Sequence, residues 1–551
     1  MKMTGSQIVM EVLLEHGVDT VFGYPGGTAL NVYDELYNYQ DRITHILTAH
    51  EQGACHAADG YARSTGKTGV VFSTSGPGAT NLVTGIATAY MDSIPLVAIT
   101  CNVADSMIGR DSFQEISITN VTLPITKHNY FVNKIEKLAP ALRNAFRIAS
   151  SGRKGPVLVD ITKDVTAAMI EYFPQKPLQS EPLPKIERAK LEEIAEIINM
   201  AKRPILYFGG GVASSGAKAE VAKLVKKADI PATYTLMAAG VIDYDDPRNL
   251  GLVGMHGTVA ANRAIDEADL VITLGSRFSD RVALNPRRFA KRATIIQVDI
   301  DESEINKNIL INYYIVGDIK EVLRKLVPLV NETKHTEWIE SVKKYPGLVQ
   351  DHLQTSYIRP KALIEYVCDH TDKETIYTTD VGQHQMWAAQ YVKHKNLHSF
   401  VTSGGLGTMG FGYGAAIGSQ CGNPNKRVIM FTGDGSFHMN MNEAATAVSY
   451  NLPIITIIFD NRVLGMVYQW QTIFYNRHYS NTILNRKTDY KKVAEGFGAH
   501  GFNCTTMEEF EAAFNEALTI DGPVWIACRI DKAERVLPMI PNGGTVDDII
   551  V

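Results

Sequence analysis

Two polar residues at the ends of apolar runs carry the first chemical signal. Asp434 stands in "GDG" directly after the run "RVIMFT", and Asn461 stands in "DN" directly after "IITIIF". Twenty-four residues separate the two motifs, enough for one helix to return the chain to a parallel neighbouring strand. That arrangement predicts a carboxylate and an amide oxygen side by side at one sheet edge. The pair is too small to enclose a metal by itself. It suits Mg²⁺, which keeps water and takes its remaining ligands from substrate phosphates. Upstream, "SGGLGTMGFGYGAAIG" (403–418) leaves a long stretch of backbone bare, so N–H groups can approach a diphosphate closely. A lone GDG is usually a turn. The order strand, GDG, helix, strand, Asn favours a metal-bound diphosphate. Glu51, after the strand pattern "THILTA", is a second candidate carboxylate, although alone it reads as a helix cap or a solvated charge.

The elements that must position these groups follow from periodicity. The chain has 551 residues, several times the ~150 of one typical domain. "VFGYPGG", "TGVVFSTSGPGATN", "IPLVAIT" and "GPVLVDITKDV" are apolar strands running into loops, separated by helical patterns such as "SQIVMEVLLEHG", with Gly17 as a helix stop. Continuous apolar strands separated by helices predict parallel sheets covered on both faces. Residues 172–190 are rich in proline and charge and read as a linker. A second α/β unit carries "RPILYFGGG", "ADLVITLGSR" and "ATIIQVDID"; a weaker boundary falls at 344–360. The expected architecture is three doubly wound α/β domains, at 1–171, 190–343 and 358–551, with function at the carboxyl ends of strands.

Composition limits the partners. The chain is 45% hydrophobic and 21% charged, as globular proteins are, and its net charge of −5 without a basic cluster argues against nucleic acid. Six scattered cysteines without a C-x-x-C pair read as reduced thiols. No apolar run reaches the ~20 residues of a membrane helix, and the first residues enter a helix and strand directly, leaving no room for a targeting peptide. The expectation is a cytoplasmic protein.

The GDG-to-Asn stretch resembles the signature of thiamine diphosphate-dependent enzymes, in which the metal-binding Asn is the second of a pair. Asp460 replaces the first of that pair; Asn461 is intact. The resemblance implies Asp434, Asn461 and the backbone carbonyl of Val463 as metal ligands. It implies Gln383 and His384 in "VGQHQ", Gly407, Met409, Gly433, Gly435, Ser436, Gly465 and Met466 around the cofactor, with Met409 propping it into a bent shape. "HEQGACHAADGYAR" resembles the segment holding the family's catalytic glutamate, here Glu51, which activates the cofactor by a hydrogen bond to its ring nitrogen. "YPGG" supplies Pro25, Gly26 and Gly27, with Gly27 nearest the reacting carbon. In this family the two halves of a site come from different subunits, which implies at least a homodimer.

"SFQEISITN" (112–120), "GMHGTVAANRAIDEADLVITLGSRFSDR" (254–281) and "NRVLGMVYQWQ" (461–471) resemble blocks of the acetohydroxyacid synthases, also called acetolactate synthases, and the likeness runs the whole chain. It implies decarboxylation of pyruvate and transfer of the two-carbon unit to a second 2-ketoacid, pyruvate or 2-ketobutyrate, in branched-chain amino acid biosynthesis. By resemblance Arg277 anchors the acceptor carboxylate, for which a guanidinium fork is suited. Phe113, Met255 and Trp470 form the apolar wall that measures the acceptor, and Gln114 and Lys163 lie near the reaction channel. "FGGG" (208–211) is weak as a dinucleotide motif, not being G-x-G-x-x-G. By resemblance Arg153, Gly209, Gly210, Thr235, Leu236, His256, Gly275, Arg277, Arg281, Asp299 and Asp318 line an FAD that does no redox chemistry.

Besides Asp460, three sites depart from the family pattern. Ser276 and Ser279 alter "GARFDDR", Tyr468 stands where Arg is usual, and Tyr413-Gly414 stand where Leu-Pro is usual. The alternatives are a flavin-free catabolic acetolactate synthase, an FAD-dependent pyruvate oxidase, and a degenerate non-enzyme. The Q-W-Q and G-M-H-G blocks oppose the first, F-Q-E and Q-W-Q oppose the second, and intact Glu51, Asp434 and Asn461 oppose the third. A homodimer or homotetramer with a separate regulatory small subunit is the expected assembly.

Overall fold

The computed structural model describes residues 1–180, 182–349 and 353–551. Three six-stranded, all-parallel sheets follow one another along the chain. The first runs in space Thr44–Leu47, Thr20–Gly23, Gly69–Ser73, Leu96–Asn102, Pro156–Thr162, His128–Val132. The third runs Phe400–Val401, Ile376–Thr379, Val428–Gly433, Ile454–Asp460, Val524–Arg529, His500–Cys504. Both therefore share one winding: second, first, third, fourth, sixth, fifth strand. The central sheet is wound differently: Asn249–Leu252, Ala232–Tyr234, Pro204–Phe208, Leu270–Leu274, Thr294–Asp299, Tyr313–Val316. In each sheet the order reverses beside the first strand, and there a crevice opens at the carboxyl ends.

The chain forms these strands because helices cover both sheet faces, so apolar residues are favoured at every position rather than at alternate ones. All of Leu96–Asn102 and Pro156–Thr162 is buried. A small antiparallel pair, Lys2–Thr4 with Met169–Glu171, closes the first unit; its three-residue strands are too short to show a period in sequence. Thr4 then caps the helix Gly5–Glu15 in a reciprocal box with Gln7. Residue 181 of the expected linker and residues 350–352 of the expected boundary at 344–360 lie outside the described residues; 172–180 and 182–187 form no helix or strand.

The first and third units meet through two helices, Glu51–Thr65 and Phe411–Gly422, whose backbones touch. A Cβ at Gly418 would stand 1.8 Å from the Ala57 carbonyl oxygen, and one at Gly60 would stand 2.2 Å from that of Ala415. The unusual Tyr413-Gly414 pair belongs to this contact. Gly414 faces the Gly53 carbonyl, and the buried Tyr413 hydroxyl accepts from Trp525 Nε1 at 3.0 Å.

Gly418→Ala should therefore destabilise the protein by at least about 2 kcal/mol, since overpacking against backbone outweighs the helix propensity gained. Gly496→Ala, in the helix Tyr490–Phe497 with nothing within 4 Å of the added carbon, should be neutral or stabilising. Denaturant midpoints of the two variants, compared with the parent, test the difference.

Candidate active site

At the crevice of the third sheet, strands Ile376–Thr379 and Val428–Gly433 are neighbours, and Val428–Gly433 also pairs with Ile454–Asp460, Gly433 opposite Phe459. Their ends bring Gln383, His384, Gly433, Asp434 and Asn461 to one edge. The connection from Asp434 to Asn461 is two short helices rather than one. Asp434–Asn440 and Ala444–Ser449 are broken at Met441–Glu443, because Glu443 turns inward and accepts from the Ala49 N–H at 3.1 Å.

Asp434 is buried and accepts from the Gly435 and Arg462 N–H groups at 3.0 and 2.9 Å. Burial, and then the neighbouring Asp460, hold its carboxyl well above the usual carboxylate range. Asp460 accepts from Arg529 Nη1 at 3.4 Å. A buried carboxylate with a second beside it is a donor set that a divalent cation stabilises. Asn461 Oδ1 accepts from the Val463 N–H at 3.1 Å, while its Nδ2 donates to Gln383 Oε1 at 3.2 Å. Among the described residues no group of three His, Cys, Asp or Glu side chains could hold a metal. A cation here therefore needs amide, carbonyl, water and phosphate oxygens as well, which is the coordination Mg²⁺ prefers.

The residues beside Asp434 fit a diphosphate. A Cβ at Gly433 would stand 2.8 Å from His384 Nδ1, so bare backbone is what admits the ring. Burial lowers the His384 pKa to about 3, and its buried Nε2 has no partner among the described residues. An unpaired buried polar group costs about 1–3 kcal/mol, which a phosphate oxygen accepting from the Nε2-protonated ring would recover. Gln383 is fixed by donating to Gln469 Oε1 at 3.0 Å and to the Glu534 carbonyl at 2.9 Å. Ser436 Oγ accepts from the Gly410 N–H at 3.2 Å, and Met409 lies beside Gly435. Gly407 adopts φ +69° on the loop between them, and Met466 packs against the apolar core behind Phe459.

The crevice of the first sheet opens between Thr20–Gly23 and Gly69–Ser73. Pro25 and Gly27 are exposed there, and Gly26 backs on Thr74, where a Cβ would stand 2.5 Å from the side chain. Lys163 Nζ donates to the Gly27 carbonyl at 3.2 Å. Gln114, at φ +61°, packs against Gly76. Glu51 opens its helix after His50, and Asn81 Nδ2 donates to its Oε2 at 2.9 Å. A Cβ at Gly78 would stand 3.2 Å from the other oxygen, so glycine keeps that side of the carboxylate open. Asn81 and Gly78 were not singled out from sequence, although "SGPGATN" holds both.

In the central unit Gly209 and Gly275 end the adjacent strands Pro204–Phe208 and Leu270–Leu274, at the point where strand order reverses. That is where α/β sheets bind dinucleotides. The two loops lie so close that a Cβ at Gly209 would stand 2.1 Å from the Gly275 carbonyl oxygen. Gly210 starts the short helix beyond the turn, and Thr235 and Leu236 follow the neighbouring strand Ala232–Tyr234. Arg153 pairs with Glu304 and Asp301 at 2.5 and 3.4 Å. Burial raises Asp299 to about 6, and Asp318 caps the helix Ile319–Leu326. Arg281 is largely exposed beside Asp280. Burial lowers His256 to about 4, and its Nδ1 has no partner among the described residues. The bare backbone at Gly209, Gly210 and Gly275, at the point where strand order reverses, fits a dinucleotide.

Residues 3–121 match the family described as thiamine pyrophosphate enzyme, N-terminal TPP binding domain. Residues 191–326 match its central domain and residues 380–528 its C-terminal TPP binding domain. The chain is 44% identical to the probable acetolactate synthase large subunit of Methanocaldococcus jannaschii, covering 100% of this chain and 95% of that protein. It is 42% identical to the acetolactate synthase isozyme 2 large subunit of Escherichia coli (100% and 99%) and 41% to the large subunit of Lactococcus lactis (99% and 96%). The chain belongs to the acetolactate synthase large-subunit family.

Of the three residues that the acetolactate synthase likeness puts in the acceptor wall, the structure joins two. Met255 and Trp470 pack in one apolar cluster with Leu284, Leu537, Met539 and Ile540. Phe113 stands apart, 86% exposed on the first unit. Arg277 reaches the glycine loop of the third unit, where a Cβ at Gly405 would stand 2.9 Å from its Nη2. The C-terminal segment was overlooked in the sequence. It folds back so that the Ile540 N–H donates to the Met255 carbonyl at 2.8 Å, and Met539 bridges Ile550. Tyr468 stacks on Tyr479 with ring centres 4.2 Å apart, a contact an arginine there would replace.

A Cβ at Gly465 would stand 2.0 Å from Gln383 Oε1. Gly465→Ala should displace Gln383 from Asn461 and weaken thiamine diphosphate at least tenfold. Calorimetric titration of the cofactor-free protein at saturating Mg²⁺ checks this, and an unchanged affinity would remove Gln383 from the cofactor site.

Proposed function

We propose that this chain is the catalytic subunit of an acetolactate synthase that decarboxylates pyruvate and joins the two-carbon unit to a second 2-ketoacid, pyruvate or 2-ketobutyrate. The observation that carries this reading is the full-length kinship together with a buried edge that joins Asp434, Asn461 and the unpaired His384. Thiamine diphosphate, when bound, supplies the carbon nucleophile that cleaves a 2-ketoacid beside its carbonyl. Asp434, Asn461 and the Val463 carbonyl would hold Mg²⁺, with Gln383, His384, Gly433, Gly435 and Ser436 around the diphosphate.

Glu51 would hold and move a proton at the cofactor ring nitrogen; Asn81 holds one of its oxygens and leaves the other for that contact. Gly27 and Pro25 would leave the backbone open to the cofactor's reacting carbon, and Lys163 fixes the Gly27 carbonyl. Gln114 lies along the channel. Arg277 grips the acceptor carboxylate, and Met255 and Trp470 measure its side chain, with Phe113 added from a second copy of the chain. Arg153, Gly209, Gly210, Thr235, Leu236, His256, Gly275, Arg281, Asp299 and Asp318 would hold FAD in the central crevice, and a reaction without net redox change would leave it no electrons to accept.

A homodimer is favoured by exposed apolar residues beside the first crevice, among them Tyr24, Leu30 and Phe113. The relatives are named large subunits, which favours a separate small subunit. Among the described residues no helix is long and apolar enough to cross a membrane, and we place the protein in the cytoplasm.

Feeding pyruvate with and without 2-ketobutyrate and identifying the products tests the reading. Acetolactate, and acetohydroxybutyrate in the mixed reaction, are expected; acetyl phosphate or acetate with oxygen uptake would overturn it. Glu51→Gln should lower kcat about 10²–10⁴-fold, the usual worth of a placed proton-transfer group. Its cofactor affinity should stay near that of the parent, and activity within twofold would reassign the role. Trp470→Leu should collapse the preference for 2-ketobutyrate while acetolactate synthesis from pyruvate alone persists. One buried methyl group is worth about 0.8 kcal/mol, and shape fit raises such discrimination to about 10–200-fold. A competition assay reads the product ratio, and an unchanged ratio moves the specificity pocket elsewhere.

A further inference from the structure

The loop from Thr402 to Gly410 joins the strand Phe400–Val401 to the helix Phe411–Gly422 in the third unit, yet much of its hold comes from the first. Asp92, at the end of the helix Val83–Met91, accepts from two successive loop N–H groups, Gly404 at 3.0 Å and Gly405 at 2.7 Å. Arg63 Nη2 donates to the same carboxylate at 3.0 Å, and its Nη1 donates to the Thr402 carbonyl at 2.8 Å. Arg63 is itself fixed by Asp59. One turn back along the helix, the hydroxyls of Thr88 and Thr408 meet at 2.7 Å. Asp92 and Arg63 are almost wholly buried, so these bonds work without competition from water. From its own unit the loop is tied by Gln385, which donates to the Thr402 hydroxyl and the Ser403 carbonyl, and by Asp380, which accepts from the Gly410 N–H. Gly404 and Gly405 lack side chains, and a Cβ at Gly405 would stand 2.8 Å from Asp92 Oδ1. Bare backbone is what lets the carboxylate seat there.

We infer that Asp92, with Thr88 and Arg63, is a positioning residue for thiamine diphosphate: it sets the loop that carries Gly407 and Met409 to the cofactor. The inference rests on the reading of Met409 as a cofactor contact. The three residues bond to Thr402, Gly404, Gly405 and Thr408 of the loop rather than to Gly407 or Met409. Asp92 and Arg63 act through the loop backbone and Thr88 through the Thr408 hydroxyl, so the first unit of a chain tunes the cofactor cradle of its own third unit.

The test uses full-length protein stripped of cofactor and calorimetric titration with thiamine diphosphate at saturating Mg²⁺, with denaturant midpoints of the same cofactor-free samples. Asp92→Asn should raise the Kd at least tenfold, and Thr88→Val, which keeps the side-chain shape, at least threefold. Thr88→Ser keeps the hydroxyl and should restore the parent Kd. If Asp92→Asn fails to fold, the two Thr88 variants decide the matter. Met409→Ala is the reference arm and should also raise the Kd. A parent-like Kd for Thr88→Val and for any folded Asp92→Asn, alongside a weakened Met409→Ala, would reduce the contact to domain adhesion and overturn the inference. A parent-like Kd for Met409→Ala would overturn the underlying reading of the loop, and the inference with it.

Discussion

The backbone-to-backbone contact of Glu51–Thr65 with Phe411–Gly422 sets the distance between the first and third units. Helices with ordinary side chains at their contact pack 8–10 Å apart. Here Gly60, Gly414 and Gly418 remove the side chains, and carbonyl oxygens of one helix face bare α-carbons of the other. Both helices adjoin the candidate site: one begins with Glu51, the other follows directly on the loop that bears Met409. A shift of one helix would move both together. The same constraint explains Gly414, where a side chain would strike the Gly53 carbonyl.

Around that contact the two units are stitched by buried polar groups that would be unfavourable if left alone. Glu443 leaves the third unit to accept from Ala49, and Asp92 leaves the first to accept from Gly404 and Gly405. Removing water from a charge is costly unless hydrogen bonds replace it. Paired carboxylates therefore permit one mutual arrangement of the units, where apolar contacts alone would tolerate sliding. Buried polar atoms without a partner among the described residues include His384 Nε2 in the third unit and His256 Nδ1, and also His56 Nδ1 and both His394 nitrogens within the packed interior.

The central sheet differs from its neighbours in winding, and that difference separates two kinds of site. The first and third sheets present at their carboxyl ends the groups proposed to react or to ligate: Glu51 at one, Asp434 and Asn461 at the other. The central sheet presents two glycine turns pressed together at Gly209 and Gly275, with charges such as Arg153 and Asp318 already engaged.

The sequence by itself determined the local pieces. Continuous apolar runs must be strands buried on both faces, and glycine or proline at their ends must be turns. Asp434 and Asn461 had to share an edge because one helical crossover joins neighbouring parallel strands, and this holds although the crossover is broken at Met441–Glu443. The blocks around Glu51, Gly254 and Trp470 carried the kinship. What only the tertiary structure decided concerns partners far apart in the chain. Asn81 against Glu51, Asp92 against Gly404 and the tail at Ile540 against Met255 span 30, 312 and 285 residues, and no local period reports such pairs. Sequence likewise grouped Phe113 with Met255 and Trp470, whereas in one chain Phe113 faces solvent. Periodicity records which face of an element is apolar; which element covers that face is settled only when the units pack.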